Sequence, residues 1–377
     1  MIDEPSSELT ARRWRAANAF VTALWVIAVL AATAQQGVLD QNNNFLIFRA
    51  ASIHLLHDQD LYAAYPTLHT DFYKYSPTFA LLFLPFAALP FALSMLVWNA
   101  VNAGVLYVAI GLVLPRRGAT VARGILFLDM LGSLQNVQSN ALVTGLIILA
   151  FAGYERRHTV TSSLAAGVGT AIKLFPLAAV TFAIFHPRKG RVALAVGLGM
   201  IALLLVPLLV TPPNTLAAQY ASWQAIQTFD AMDRGMSVMR IVEHLVHGDW
   251  PNWPLQLGGV VALVAPVLAR RARWGEWEFR RLYLCSVLLF CVIFNHKSES
   301  PSFVIAVAGA ALWFAARPQW ARFEWTMFAF FMVCTVLASS DLMPVVVQRE
   351  FFDRYQFKVV PCVVLWLVVQ RQLWRRR

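Results

Sequence analysis

The sequence predicts an all-α polytopic membrane protein with about 10 to 13 membrane segments: several of its apolar runs fit the roughly 20 residues a helix needs to cross a bilayer, and several are too short alone and must be tilted, broken or re-entrant. Three observations predict it. Of 377 residues, 59% are hydrophobic and 14% charged, with a mean hydropathy of +0.58, far too apolar for a soluble chain of this length. The apolar residues come in runs such as ALAVGLGMIALLLVPLLV, without the alternation of a β-barrel strand. The formal charge of +11 is carried by short basic clusters between the runs, where a positive-inside bias puts it. That distribution speaks for anionic membrane lipid and against nucleic acid as a partner.

The first run, 20–38, follows Arg12, Arg13 and Arg15 and has no small-residue cleavage site, so it reads as a retained span with its N-terminus cytoplasmic. It delivers the first loop, 35–75, to the opposite face. Phe45, Phe48, Ile53 and Leu56 recur there at mostly helical spacing, with Asn44, Arg49 and Ser52 elsewhere, which predicts an amphipathic helix over 44–57 lying along the interface. Runs 78–93 and 94–114 follow around Pro90. If Pro90 turns in the cytoplasm, Arg116, Arg117 and Arg123 lie outside, against the charge rule; if those arginines lie inside, one of the two runs does not cross. Runs 124–135 with 139–153, and 160–172 with 174–186, read as short helix pairs whose tips, 135–140 and Lys173, come from the outer face.

Run 191–210 then exits, a second large loop spans 211–253, run 255–269 returns, and the basic stretch 270–281 is cytoplasmic. Runs 282–294 and 302–316 turn outside through NHKSESP. Arg317 and Arg322 turn inside, run 323–338 leads to an outer stretch 339–356, and run 357–370 returns to an Arg-rich tail. The chain, 1–377, reads as one integral membrane domain with both termini cytoplasmic. Cys285, Cys291, Cys334 and Cys362 fall in or beside apolar runs without a CxxC spacing and read as small hydrophobes.

Nearly every polar exception falls on the outer side. Lys173, in GVGTAIKLFPLAAVTFAIF, is the sharpest, because a lysine in hydrocarbon costs roughly 2.5–3.5 kcal/mol on insertion scales. It has no acid in its own run, so it snorkels to an interface or lines a wet cavity. Pro176, which breaks the helix within a turn, favours the cavity, where the ammonium would hold an anion. QNVQSN offers Gln138 and Asn140, amides suited to substrate hydroxyls, although helix packing uses the same groups. NHKSESP brings His296, Lys297 and Glu299 together: a proton-transfer group, a cation and a carboxylate. The first loop concentrates Arg49, Asp60, Asp71 and Lys74 beside the membrane, and the second adds Tyr220, Trp223, Asp233, Arg234, Arg240, Glu243 and His244 as a lid or acceptor wall.

HLLHD and HLVHGD each place two histidines at i, i+3 with an aspartate, a spacing too common to define a zinc site, and no metal ligands are predicted. A divalent cation held between an aspartate and a substrate phosphate is compatible with the sequence, which does not require one. Walker A, Rossmann and nucleophile-elbow motifs are absent from the sequence, so a group transfer would draw on a donor that arrives in the lipid.

The blocks NNNFLIFRAASIHLLHDQDLYAAYP, DFYKYSPTFALLFLPFAALP, WNAVNA, QNVQSNAL, AIKLFPLAAV, QYASWQ and FNHKSESPSFVIAVAGAALWF resemble the integral membrane glycosyltransferase family 87, which includes polyprenyl-phosphate-mannose-dependent mannosyltransferases. The resemblance implies a GT-C-like fold with interfacial helices in the first extracytoplasmic loop. It also implies a bacterial cytoplasmic membrane, an active site facing the periplasm or exterior, a polyprenyl-phosphate-linked sugar donor, and a glycan or lipid acceptor. Many members carry an Asp-Phe pair near where this chain has Asn44-Phe45, so the base would be Asp40, Asp60, Asp71 or Glu299, with Asp60 and Glu299 favoured. The family's lysine-proline segment falls on Lys173 and Pro176. Arg49, Lys74 and Lys297 are further candidates for the donor phosphate, and Asn43, Asn44, Tyr75, Gln138, Asn140 and His296 for sugar or acceptor. The competing function is a flippase or transporter of a lipid-linked or anionic substrate. It shares broken helices and a buried cation, but needs polar groups through both halves of the membrane.

Overall fold

A computed structural model of the chain describes residues 4–39, 42–248, 250–317, 319–338, 343–347, 350, 352 and 356–375, and every regular element among them is helical. Helix α1 (Glu4–Leu39) leads to α2 (Asn43–Leu56), α3 (Pro77–Ala87), α4 (Phe91–Val113), α5 (Arg116–Gln135), α6 (Asn140–Glu155) and α7 (Thr159–Ile172). A 3-10 segment, Phe175–Phe185, separates α7 from α8 (Lys189–Leu205). Then come α9 (Pro213–Asp230), α10 (Val238–Val246), α11 (Trp253–Ala269), α12 (Trp277–Ile293), α13 (Phe303–Ala315), α14 (Arg322–Phe331), the single turn α15 (Val345–Val347) and α16 (Val360–Trp374).

Prolines set several of the starts, since a missing N–H costs nothing in a first turn: Pro77 and Pro213 open α3 and α9, and Pro90 and Pro115 stand just before α4 and α5. Ser76 caps α3, its Oγ accepting from the Phe79 amide at 3.2 Å. Pro176 acts in the opposite sense. It has no N–H to give and its ring crowds the preceding turn, so α7 stops at Ile172, Lys173 is extended (φ −142°, ψ 142°), and the chain resumes as the tighter 3-10 segment.

Three helical stretches are long and apolar enough to cross a membrane by length and composition: Ala11–Leu39, Phe91–Val113 and Lys189–Leu209. Seven shorter apolar helices join them among the described residues. Only 11% of the apolar window in Lys189–Leu209 is buried in protein, so Leu194, Leu198 and Ile201 project from the fold as lipid-facing side chains do. The chain reads as an integral membrane protein. Of the two runs before Arg116, α3 with 11 residues is too short to cross alone, while α4 with 23 has the length. Arg116 and Arg117, just past the end of α4, stand beside the Arg156 turn, whose Nη2 reaches the Leu112 carbonyl, whereas Arg123 is buried along α5 with its guanidinium on Tyr107 O at 2.8 Å.

The core follows α12 and α13, which pack on each other and on α5, α6 and α16. From Phe303 to Phe314 α13 is buried all round. Gly309 permits this, because a Cβ there would stand 2.9 Å from the Cys285 carbonyl on α12. The loop helix α2 forms where its periodicity predicts, with its apolar stripe divided between two environments. Phe45 and Phe48 are fully buried, Phe48 among the rings of Tyr75, Phe79, Phe83 and Trp98, whereas Ile53 and Leu56 stay exposed.

The two ends of the bundle differ in kind. At one end the basic turns meet: Arg156 Nη2 donates to Leu112 O at 2.9 Å, Arg280 pairs with Glu155 at 2.7 Å, and Arg273 Nη1 and Arg317 Nη2 donate to Gln372 O and Oε1 at 3.1 and 3.4 Å. At the other end the C-terminal ends of α5, α7 and α12 meet the N-terminal ends of α6 and α13, and their polar residues surround a cavity.

Candidate active site

The cavity has a volume of about 520 Å³, within the roughly 300–1,000 Å³ of small-ligand pockets. Its wall includes Asn44, Asp71, Lys74, Tyr75, Gln138, Lys173, Asp230, His296, Lys297 and Glu299, side chains brought together from stretches far apart in the chain.

One part of the wall is built on amides. Lys173 Nζ donates to Asn140 Oδ1 at 2.7 Å and to Gln138 Oε1 at 3.4 Å, Asn140 Nδ2 donates to Gln138 Oε1 at 2.7 Å, and Gln138 Nε2 donates to Glu299 Oε2 at 3.3 Å. The amides orient the ammonium without cancelling its charge, because they are neutral. The Tyr75 ring lies 5.9 Å from Lys173 Nζ, and burial raises the Tyr75 phenol above its usual range, keeping it a neutral hydroxyl.

The turn that presents the amides is strained. Val137 is wholly buried with φ of 49°, a left-handed conformation costing of order 1–3 kcal/mol for such a residue. It closes α5 where glycine is usual, its N–H on Leu134 O at 2.9 Å and the Gln138 N–H on Ser133 O at 3.1 Å. Asn44 Nδ2 holds the same turn from α2, donating to Asn136 O at 2.8 Å.

Glu299 is held from behind. Lys358 Nζ donates to the carbonyl and hydroxyl of the next residue, Ser300, at 3.1 and 2.8 Å, and stands 3.9 Å from Asp129 Oδ1 of α5. Both charges are buried; the serine supplies hydrogen bonds to the lysine, whereas Asp129 Oδ2 meets no hydrogen-bond partner among the described residues. Lys358 is therefore a positioning residue for the turn that carries Glu299.

The other part of the wall is built on carboxylates. Lys74 pairs with Asp71 at 3.0 Å, and Lys297 pairs with Asp230 at 2.9 Å and with Asp233. The hydrogen bond from Lys297 holds Asp233 below the usual carboxylate range. Burial, aided by the Lys297 charge, holds His296 below the ordinary imidazole range, and its Nδ1 accepts from Gln256 Nε2 at 3.1 Å. Helix α9 closes this side. Trp223, Gln227 and Asp230 lie at i, i+4 and i+7 on one face, and the first two donate to Lys74 O at 3.1 and 3.2 Å.

Several predicted residues lie elsewhere. Asp60 Oδ1 accepts from the Tyr62 amide at 2.9 Å in an exposed turn, Asn43 Oδ1 accepts from the Thr70 amide at 2.8 Å, and the Arg49 guanidinium lies 5.9 Å from the Phe91 ring centre; none of the three lines the cavity. Asn140 is buried behind Lys173, and Asp40 falls outside the described residues. In the first histidine motif His57 Nδ1 lies against Ile53 O at 2.8 Å and Asp58 Oδ1 accepts from Thr211 in the second loop at 2.6 Å; in the other, His244 Nδ1 lies against Arg240 O at 2.8 Å and Asp249 falls outside the described residues. No group of three His, Cys, Asp or Glu side chains placed to hold a metal occurs among the described residues. Sequence reasoning did not single out Asp230, Gln227, Gln256, Asp129 or Lys358. The polar stripe along α9 was the available signal for Gln227 and Asp230; Asp129 and Lys358 had none.

With this geometry in place, sequence comparison decides the family. The profile of glycosyltransferase family 87 matches residues 72–294, more than half of the chain. The chain belongs to glycosyltransferase family 87. Membership implies glycosyltransferase activity, with a sugar donor and an acceptor. No curated protein matches the chain. The family segment contains Lys74, Tyr75, Gln138, Asn140, Lys173 and Asp230, while Asn44, Asp71, His296, Lys297 and Glu299 join the cavity wall from outside it.

Proposed function

We propose that this family 87 glycosyltransferase is a GT-C-type enzyme that moves a sugar, mannose or another hexose or pentose, from a polyprenyl-phosphate donor to a glycan or lipid acceptor. The transfer takes place on the extracytoplasmic side of a bacterial cytoplasmic membrane. The observation that carries this reading is Lys173, held by two neutral amides and linked through Gln138 to Glu299 in one cavity.

The donor phosphate docks on the Lys173 ammonium, with Tyr75 and Gln138 on the sugar hydroxyls. Apolar side chains on the same wall, Leu174, Phe175 and Phe290, receive the start of the polyprenyl chain. Asp71 and Asp230 are each paired with a lysine, whereas Glu299 has no ion pair within 4 Å among the described residues, so Glu299 is the base. It takes the proton of the acceptor hydroxyl as that oxygen bonds to the anomeric carbon. The bond from the anomeric carbon to the phosphate oxygen breaks, its electron pair leaves with the polyprenyl phosphate, and Lys173 meets the charge that develops there. A single in-line displacement of this kind inverts the anomeric configuration. The reading needs no resident metal. A divalent cation arriving with the donor would meet Asp71 and Asp230 in the same cavity, so the assay is run with and without one.

The test reconstitutes purified protein in vesicles with polyprenyl-phosphate sugars and candidate acceptors and follows which donor is consumed. Loss of the sugar from one donor, dependent on Glu299, supports the reading. Movement of the lipid-linked sugar across the bilayer with no donor consumed would replace transfer by flipping.

A further inference from the structure

The 3-10 segment and α12, which line this cavity, also line a second, smaller one. α6 runs from Asn140 at the first cavity to Glu155 at the second, a length of about 22 Å at 1.5 Å per residue. The second cavity, about 140 Å³, lies at the basic end of the bundle, lined by Tyr154, Glu155, Arg157, His186, Trp274 and Arg280 together with phenylalanine rings. It is too small for a sugar with its lipid and large enough for a single polar group.

One feature of its wall lacks an explanation within the fold, and a second sets the charge at its mouth. His186 is 5% exposed, and its Nδ1 accepts the Arg188 amide at 3.1 Å, which leaves the ring proton on Nε2. That Nε2 is buried and meets no hydrogen-bond partner among the described residues. A donor so placed needs an acceptor.

The second feature is Arg157. It closes α6 in the left-handed region, φ 64°, where glycine or asparagine would sit without strain. Its exposed guanidinium makes no hydrogen bond or ion pair among the described residues. Arg280 does not compete for a ligand's charge in the same way, because both Glu155 oxygens are taken by its Nε and Nη2 at 2.7 and 2.9 Å. With that pair neutral, Arg157 leaves the pocket a net positive charge beside a buried N–H donor.

We propose that this pocket binds a phosphate group, with His186 Nε2 donating to one oxygen and Arg157 covering the others from the mouth. On the membrane orientation adopted above, the phosphate is the headgroup of an anionic phospholipid of the cytoplasmic leaflet. The lipid chains then run along the exposed apolar flank of α8, whose first residues, Lys189 and Arg191, extend the basic surface.

The test uses R157G and H186N. Glycine removes the guanidinium and relieves the left-handed strain, so R157G folds at least as well as the parent. Asparagine keeps an acceptor for the Arg188 amide while deleting the Nε2 donor, and H186Q keeps a donor near Nε2 as a rescue. Thermal midpoints of the full chain in neutral detergent are measured alone, with inorganic phosphate, and with short-chain phosphatidylglycerol, and retained lipid is read by native mass spectrometry.

The expected result is stabilisation by phosphatidylglycerol and retention of one lipid in the parent and in H186Q. Retention is expected to drop at least tenfold in R157G and H186N, with the lipid-free midpoint of R157G unchanged or raised. Equal stabilisation by inorganic phosphate, lost in the same two variants, assigns the site to the free anion. Stabilisation and retention that are the same in the parent and both variants would overturn the proposal. None of these readouts depends on sugar transfer, so the outcome is separate from that of the active-site reading.

Discussion

Lys173 and Lys297 line the same cavity and are held by different chemistry. Lys297 stands on Asp230 and Asp233, and its neighbour Lys74 on Asp71, so each positive charge there meets a negative one within 3 Å. Lys173 stands on Asn140 and Gln138, whose oxygens fix the ammonium as firmly and leave its charge in place. Paired lysines are fasteners; their field is largely cancelled within the wall. A lysine held by amides keeps its attraction for whatever enters, and in a site screened from bulk water that attraction is strong. The same division separates the carboxylates, since Glu299 meets an amide while Asp71 and Asp230 meet ammonium groups.

Substitutions that exchange these roles test the comparison. The largest effect is expected for E299Q, which keeps the Gln138 contact and removes the proposed base: donor consumption should fall by about 10²–10⁴-fold with little change in donor KM. D71N and D230N should lose far less in the same assay, and a larger loss in either would move the base to the paired wall. Next is K173M, for which transfer should drop about 10²–10³-fold, the usual cost of removing one group that meets developing charge. K297M, losing a fastener, should change initial rates by less than about tenfold on the same reasoning. If the two lysine variants are equally impaired, the distinction between amide and carboxylate partners fails.

K358M tests whether Glu299 must be held from behind. Displacing a base by a fraction of its contact distance costs up to about 10²-fold in kcat, with KM little altered, and K358R should recover part of it. The smallest effect belongs to the latch between Lys297 and Asp233. Asp233 is held low in the folded chain, so its contribution is fully present above the unfolded carboxylate value near 4 and is lost as pH falls through the lower folded value. Because Asp233 is more than half exposed, solvent screening limits the pair to about 0–1 kcal/mol. The thermal midpoint of D233N should match the parent at the lowest pH and fall slightly below it near pH 7, a difference read by a pH series of melting curves.

Much of this wall was legible from residues whose burial is expensive. Lys173 in an apolar run, the amides of QNVQSN and the charges of NHKSESP all announce themselves against their surroundings, and all three stretches reach the cavity. Helix positions followed in the same way from runs and prolines, α2 included. What stayed hidden depends on contacts between segments. Asp60 and Asp71 look alike in the first loop, but only the second reaches the cavity, because Asp60 is spent on capping its own turn. Asp129 reads as a stray acid in a run, and Lys358 as the edge of another; their pairing exists only because α5 passes beside the start of α16. The burial of Phe48 likewise depends on rings from α3 and α4 that no periodicity in α2 encodes.

Val137 gives the amide wall a property beyond its shape. A β-branched residue kept in the left-handed region is conformationally narrow, and Trp98 Nε1 and Asn44 Nδ2 grip the carbonyls of Val137 and Asn136 on either side of that strained bond. The adjacent amides therefore have little freedom left to lose when the proposed donor settles against them. Preorganisation of this sort lowers the entropic cost of docking, and it implies that loosening the turn with glycine would make the protein easier to fold and its donor harder to keep.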